Sequence, residues 1–131
     1  MNTYDTDFYQ WIQEQLMSLK NHDSKTLDWD NLLVEIETLG KSELKTCESF
    51  VILIILHKLC LDYWTEELEK NQLHWQGEVQ NFRIQLNKKL TQSIRNKLEL
   101  DSLYLEAKEA FKQKSGLIAP DDCPYRFEEL L

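Results

Sequence analysis

The sequence predicts an all-α, up-and-down bundle of four to five helices, with a central hydrophobic third helix and an irregular C-terminal tail. Three observations lead there. Only three glycines and two prolines occur in 131 residues, far below their average usage of about 7% and 5%, so little turn chemistry interrupts long elements. Apolar residues recur at three-and-four spacing along most of the chain, which is the period of one buried helix face. Phe50 to Leu56 are seven consecutive apolar residues, and no turn residue bounds them between Ser42 and Asn71. The β-branched residues from Val51 to Ile55 would also permit a strand, but a run without bounding turns reads better as a helix wrapped by its neighbours. At this length a single helical domain over residues 1–131 is expected.

Taken in order, Asp5 can cap a first helix whose Phe8, Trp11, Ile12, Leu16 and Leu19 share one face. Asn21 to Thr26 is a polar loop. Asp28 or Asp30 starts a short second helix with Trp29, Leu32, Leu33, Ile36 and Leu39 inward, and Gly40 stands where a left-handed C-terminal residue belongs. Ser42 can cap a third helix along the seam Leu44, Cys47, Val51, Ile54 or Ile55, and Leu59. The chain is expected to reverse between Asn71 and Gly77. Val79, Phe82, Leu86, Leu90 and Ile94 then form an amphipathic fourth helix. A fifth starts near Asp101 or Ser102, buries Leu103, Tyr104, Ala107, Ala110 and Phe111, and ends at Lys112 and Lys114 before Gly116, where cations suit the negative end of the dipole. Pro120 and Pro124 impose an irregular tail closed by a short helical turn at Phe127 to Leu131.

A formal charge of −8 disfavours nucleic acid and anionic membrane as partners, since both need positive surface at the contact. Residues 71–97, with five basic side chains against one acidic, are the exception. Cys47, Cys60 and Cys123 have no C-x-x-C spacing, which suits a reducing compartment better than disulfides or a zinc ribbon. The polar, acidic start carries no secretory pattern, and His57, Lys58 and Asp62 interrupt the apolar block well before the roughly 20 residues a membrane span needs. A cytoplasmic protein without a membrane segment is expected.

Several short patterns, in order, resemble the cyanobacterial family called domain of unknown function 29. They are Asp7-Phe8-Tyr9-Gln10-Trp11 with Gln15, then Leu27, Asn31-Leu32, Glu35-Ile36-Glu37 and Leu39-Gly40, then Ser42-Glu43, His57 with Leu59, Trp75, and Cys123-Pro124-Tyr125. Family members look like His-Leu-Leu-Lys-Trp where this chain has His57-Lys58-Leu59-Cys60-Leu61. The resemblance implies an α-helical domain and a cyanobacterial setting, and it implies no activity.

Chemistry-bearing residues are few. Metal sites in helical bundles use Glu-x-x-His pairs on one face, but Leu19, Ile54 and Asn71 stand three residues before His22, His57 and His74. A polar cluster assembled across helices from Glu35 or Glu37, His57 and Asp62 or Glu66 would serve a metal-assisted hydrolase. A His57 that simply satisfies a backbone carbonyl or a carboxylate is the plainer reading. Cys60, three residues after His57, could pair with it as a nucleophile, though a structural buried thiol is favoured. Arg83, Lys88, Lys89, Arg95 and Lys97 could form a basic face with Trp75 and Phe82 for nucleic acid, but a solvated helix face that pairs with the acidic parts of the chain is the favoured reading. No phosphate-cradling glycine loop and no nucleophile elbow is present. Tyr63, Trp64, Glu66, His74 and Trp75 gather near the expected third turn as an aromatic patch rimmed by charge. The best-supported expectation is therefore a non-catalytic interaction or regulatory module, with no cofactor, that binds a protein partner or a second copy of itself.

Overall fold

The structure, a computed structural model, describes residues 3–131. Among the described residues seven helices form, in the order α1 (Thr3–Thr6), α2 (Phe8–Lys20), α3 (Trp29–Tyr63), α4 (Thr65–Lys89), α5 (Gln92–Arg95), α6 (Leu100–Ser115) and α7 (Phe127–Leu130). Four are long, and no strand occurs among the described residues, as the all-α reading requires. The chain divides into two compact units, Met1–Ser42 and Glu43–Leu131.

In the first unit α2 is capped by Asp7 rather than Asp5, which lies inside α1. The Asp7 carboxylate accepts the Gln10 amide at 3.1 Å, meeting one of the orphan donors of the first turn. The inward face of α2 is Trp11, Gln15 and Ser18, while Phe8, Ile12, Leu16 and Leu19, expected inside, are exposed. Hydrogen bonds set this rotation. Trp11 Nε1 donates to Asp28 Oδ2 at 2.9 Å, the Asp28 amide donates to Gln15 Oε1 at 2.7 Å, and the Ser18 and Thr26 hydroxyls meet at 2.7 Å. Asp28 also accepts from the Asn31 backbone amide at 3.4 Å and from Asn31 Nδ2 at 2.8 Å, which starts α3 at Trp29. Of the two carboxylates that could open this helix, Asp28 does so.

The expected second and third helices are one. Gly40 lies inside α3 and Ser42 in mid-helix, and among the described residues the glycine with positive φ is Gly116 at 75°. A glycine inside a helix costs only about 1 kcal/mol relative to alanine, which is less than breaking the backbone ladder around it.

In the second unit α3 and α4 form an antiparallel hairpin. Its pairs run in opposite sequence directions: Trp64 with Trp75 at 5.5 Å between ring centroids, His57 with Phe82 at 5.6 Å, Phe50 with Phe82 at 6.3 Å, and Glu43 with Lys89 at 3.4 Å. The reversal falls at Trp64 alone (φ −100°, ψ 65°), not between Asn71 and Gly77. Asn71 supports the helix instead, donating from Nδ2 to the Glu67 carbonyl one turn earlier at 2.9 Å. Cys47, Val51, Ile54, Ile55 and Leu59 of α3 are fully buried, and no residue from Phe50 to Leu56 is exposed, so the apolar block is wrapped as its composition requires. Against it pack Trp75, Val79 and Leu86 of α4 and Leu103, Tyr104, Ala107 and Phe111 of α6.

Helix α4 stops at Lys89, so Ile94 belongs to a separate turn of helix, α5, whose cap is Thr91; its hydroxyl accepts from the Ile94 amide at 3.3 Å. Helix α6 starts at Leu100 and ends at Gly116, whose amide bonds the Lys112 carbonyl at 2.8 Å in the left-handed C-terminal conformation. The tail then crosses the core as irregular chain, burying Ala119, Tyr125 and Leu130. The Tyr104 hydroxyl donates to the Pro120 carbonyl and fixes the path at the first proline.

Candidate functional site

Three of the four residues of the expected polar cluster, Glu35, His57 and Asp62, are engaged by other partners, and Glu37 is exposed. Glu35 accepts the Tyr4 hydroxyl at 2.5 Å, and that hydrogen bond is the main reason the Tyr4 phenol is raised above its ordinary range. Glu37 is exposed and lies 200° around the helix from Glu35. In the second unit His57 is 7% exposed and its Nδ1 lies 2.7 Å from the Leu53 carbonyl. A carbonyl only accepts, so this contact places a proton on Nδ1. Asp62, about 140° away around the same helix, accepts the Tyr125 hydroxyl at 2.6 Å. Among the described residues no group of three or more His, Cys, Asp and Glu side chains is placed to hold a metal ion.

The thiol chemistry points the same way. Burial pushes the Cys60 thiol up to about 11, and burial likewise raises Cys47 and Cys123. A nucleophilic cysteine needs the opposite shift, so all three are protonated thiols near neutrality. All three are also free of disulfides.

At the α3–α4 turn the aromatic patch is partly inside the protein. Trp75 is 2% exposed and stacks on Trp64, itself half-buried, with an interplanar angle of 21°. Tyr63, Glu66 and His74 are exposed around this pair. Trp75 is thus a core side chain; stacking draws both indoles inward and leaves the surrounding polar residues as the surface. The basic stretch is also engaged. Arg83 donates from Nε to the Leu130 carbonyl at 3.1 Å and from Nη2 to the Glu129 carbonyl at 2.8 Å, Lys89 reaches Glu43, and Arg95 lies 3.9 Å from Glu128.

The feature that periodicity alone did not locate lies in the first unit. Trp29, Leu33, Ile36 and Leu39, expected to be core, are exposed, together with Ile12, Leu16 and Leu19 of α2. Leu19, Leu27, Trp29, Leu32, Leu33 and Ile36 line an open apolar hollow of about 440 Å³, with Asp30 the one charged lining residue. Trp29 is 60% exposed, yet its indole N–H is already satisfied by the Ser24 carbonyl at 2.9 Å. The ring is held in place with a face open to solvent. A contiguous apolar surface with an immobilised aromatic at its edge is suited to contact rather than to catalysis.

No helix among the described residues is long and apolar enough to cross a membrane. Neither the curated proteins nor the solved structures contain a match to this chain. The family model described as domain of unknown function DUF29 matches residues 3–131, and the chain belongs to that family.

Proposed function

We propose that this chain is a non-catalytic protein-interaction or regulatory module of the cytoplasm and that the exposed apolar face of its first unit is the contact surface. One observation carries the reading: Trp29, Leu33 and Ile36 lie on one side of α3, exposed, around an apolar hollow. Exposed side chains of this size in one continuous stretch add to the free energy of the solvated chain about 25 cal/mol for each Å² that a partner would cover. Three free thiols suit a reducing compartment. The α3–α4 turn is the weaker surface for the same role, because its two indoles satisfy each other.

The test is recovery of partners from a native lysate by the wild-type chain and by Leu33→Glu and Trp29→Ala, with size-exclusion light scattering of each. A partner or an oligomer lost in both variants supports the reading. If neither substitution changes recovery or oligomeric state while helicity by circular dichroism is retained, the first-unit face is not a contact surface and the reading fails.

A further inference from the structure

The charge around the apolar face says what kind of partner fits it. Residues 1–42 carry three basic against eight acidic side chains, a net of −5. Asp30 lines the hollow itself and Glu37 follows Leu33 by one turn, both exposed. At 100° per residue both carboxylates lie on the same flank of the Trp29-Leu33-Ile36 stripe. We infer that this face seats an amphipathic helix of another protein, with apolar anchors along one side and Lys or Arg on the flank that meets Asp30 and Glu37. The inference rests on the interaction reading above and adds the chemistry of the partner.

Shape supports a helix as the occupant. The stripe from Trp29 to Leu39 spans about 15 Å of α3, and the hollow lies between it and Leu19 of α2. A helix laid in such a groove inserts residues at i, i+3 or i+4, and i+7. The Trp29 ring, fixed by its bond to Ser24, has little rotamer freedom left to lose on binding. Charge separates the other occupants. A second copy docked through the same face places a −5 unit against a −5 unit, with Asp30 and Glu37 meeting their own kind across a two-fold axis. An anionic lipid surface meets the same repulsion.

The experiment titrates the full chain with a synthetic Leu/Lys amphipathic peptide and with its Leu/Glu counterpart, following backbone amide shifts by NMR and affinity by calorimetry. The expected result is binding of the Leu/Lys peptide alone, with shifts concentrated between Leu19 and Leu39. Leu33→Glu should weaken it on the order of tenfold, although the added negative charge would strengthen a merely electrostatic attraction. Asp30→Lys should weaken it several-fold without removing apolar surface, whereas Glu106→Gln, an exposed change in the second unit, should leave it unaltered. Equal affinity of wild type and Leu33→Glu, or preference for the Leu/Glu peptide, overturns the inference. So does a concentration-dependent dimer by sedimentation that Leu33→Glu dissolves, although the interaction reading then survives with a second copy as the partner. Amide shifts of wild type near the random-coil range for residues 8–39 would also overturn it, because the groove would not exist.

Discussion

The Tyr125 hydroxyl donates to the Asp62 carboxylate at 2.6 Å, tying the irregular tail to the last turn of α3 across 63 residues of sequence. Tyr125 is buried, and Lys58 Nζ lies 5.1 Å from the centre of its ring, so one side chain donates a hydrogen bond from its tip and holds a cation over its face. Asp62 is itself exposed, so water can replace the lost donor and the penalty stays small. Tyr125→Phe should cost about 1 kcal/mol, read as a fall of a few degrees in melting temperature. A melt indistinguishable from wild type would mean the hydroxyl contributes nothing to holding the tail.

Arg83 caps the end of the chain. Its two donors engage the Leu130 and Glu129 carbonyls, groups that a four-residue helix leaves without intrahelical partners. Arg83→Ala should speed amide hydrogen exchange over residues 127–131 and cost about 1 to 3 kcal/mol. Arg83→Lys, with a single point of attachment in place of a planar fork, should fall between. Unchanged exchange in the alanine variant would remove the capping role.

Stability should fall in alkali. Burial raises Cys60 from 9.0 to about 11 and Tyr104 from 10.0 to about 12. A group whose folded pKa lies above its unfolded value contributes fully below the unfolded value and loses that contribution as pH rises toward the folded one. The midpoint of chemical denaturation should therefore be flat from neutrality to about pH 9 and decline above it. In the same window native Cys60 should resist a disulfide exchange reagent that modifies the denatured chain at once. Rapid native labelling of Cys60 would contradict its burial.

Asp28 sets the opposite limit. Hydrogen bonds from Asn31 and then from Trp11 hold its carboxyl below the ordinary 3.8. Its contribution is present above that value and lost as pH falls through the lower folded one, so the first unit should loosen in acid, below the ordinary carboxyl range. The indole proton resonance of Trp11, which bonds Asp28 directly, reports the event. Asp28→Asn should shift that resonance at neutral pH and flatten its acid titration. A Trp11 signal indifferent to the substitution would show that the contact does not persist in solution.

The helical architecture and the central core were legible in the sequence, because Cys47, Val51, Ile54, Ile55 and Leu59 sit on one helical seam and all are fully buried. The end of α6 was legible too, with lysines followed by a left-handed Gly116. Helix boundaries were less so. Gly40 carried the signal of a stop without a proline to enforce it, and the true reversal at Trp64 has neither glycine nor proline at the turn; it is fixed by the stack on Trp75, a contact that local pattern does not encode. The apolar face of the first unit shows a limit of a different kind. Periodicity reveals that Trp29, Leu33 and Ile36 share a side of a helix, but it is equally satisfied whether that side is covered or open. Hydrogen bonds that Trp11 donates to Asp28, that Gln15 accepts from the Asp28 amide and that Ser18 shares with Thr26 decide which side of α2 turns inward, and polar anchors of that kind leave no periodic trace.

The hairpin of α3 and α4 also carries a kinetic consequence. Its paired residues are separated by 11 positions at Trp64 and Trp75, 25 at His57 and Phe82, and 46 at Glu43 and Lys89. The loop closed by each contact is short once the previous one has formed, so the entropic barrier is met in small increments rather than in one large search. Folding of the second unit would then nucleate at the indole pair and zip outward from it, placing the slowest step at the docking of α6 and the tail.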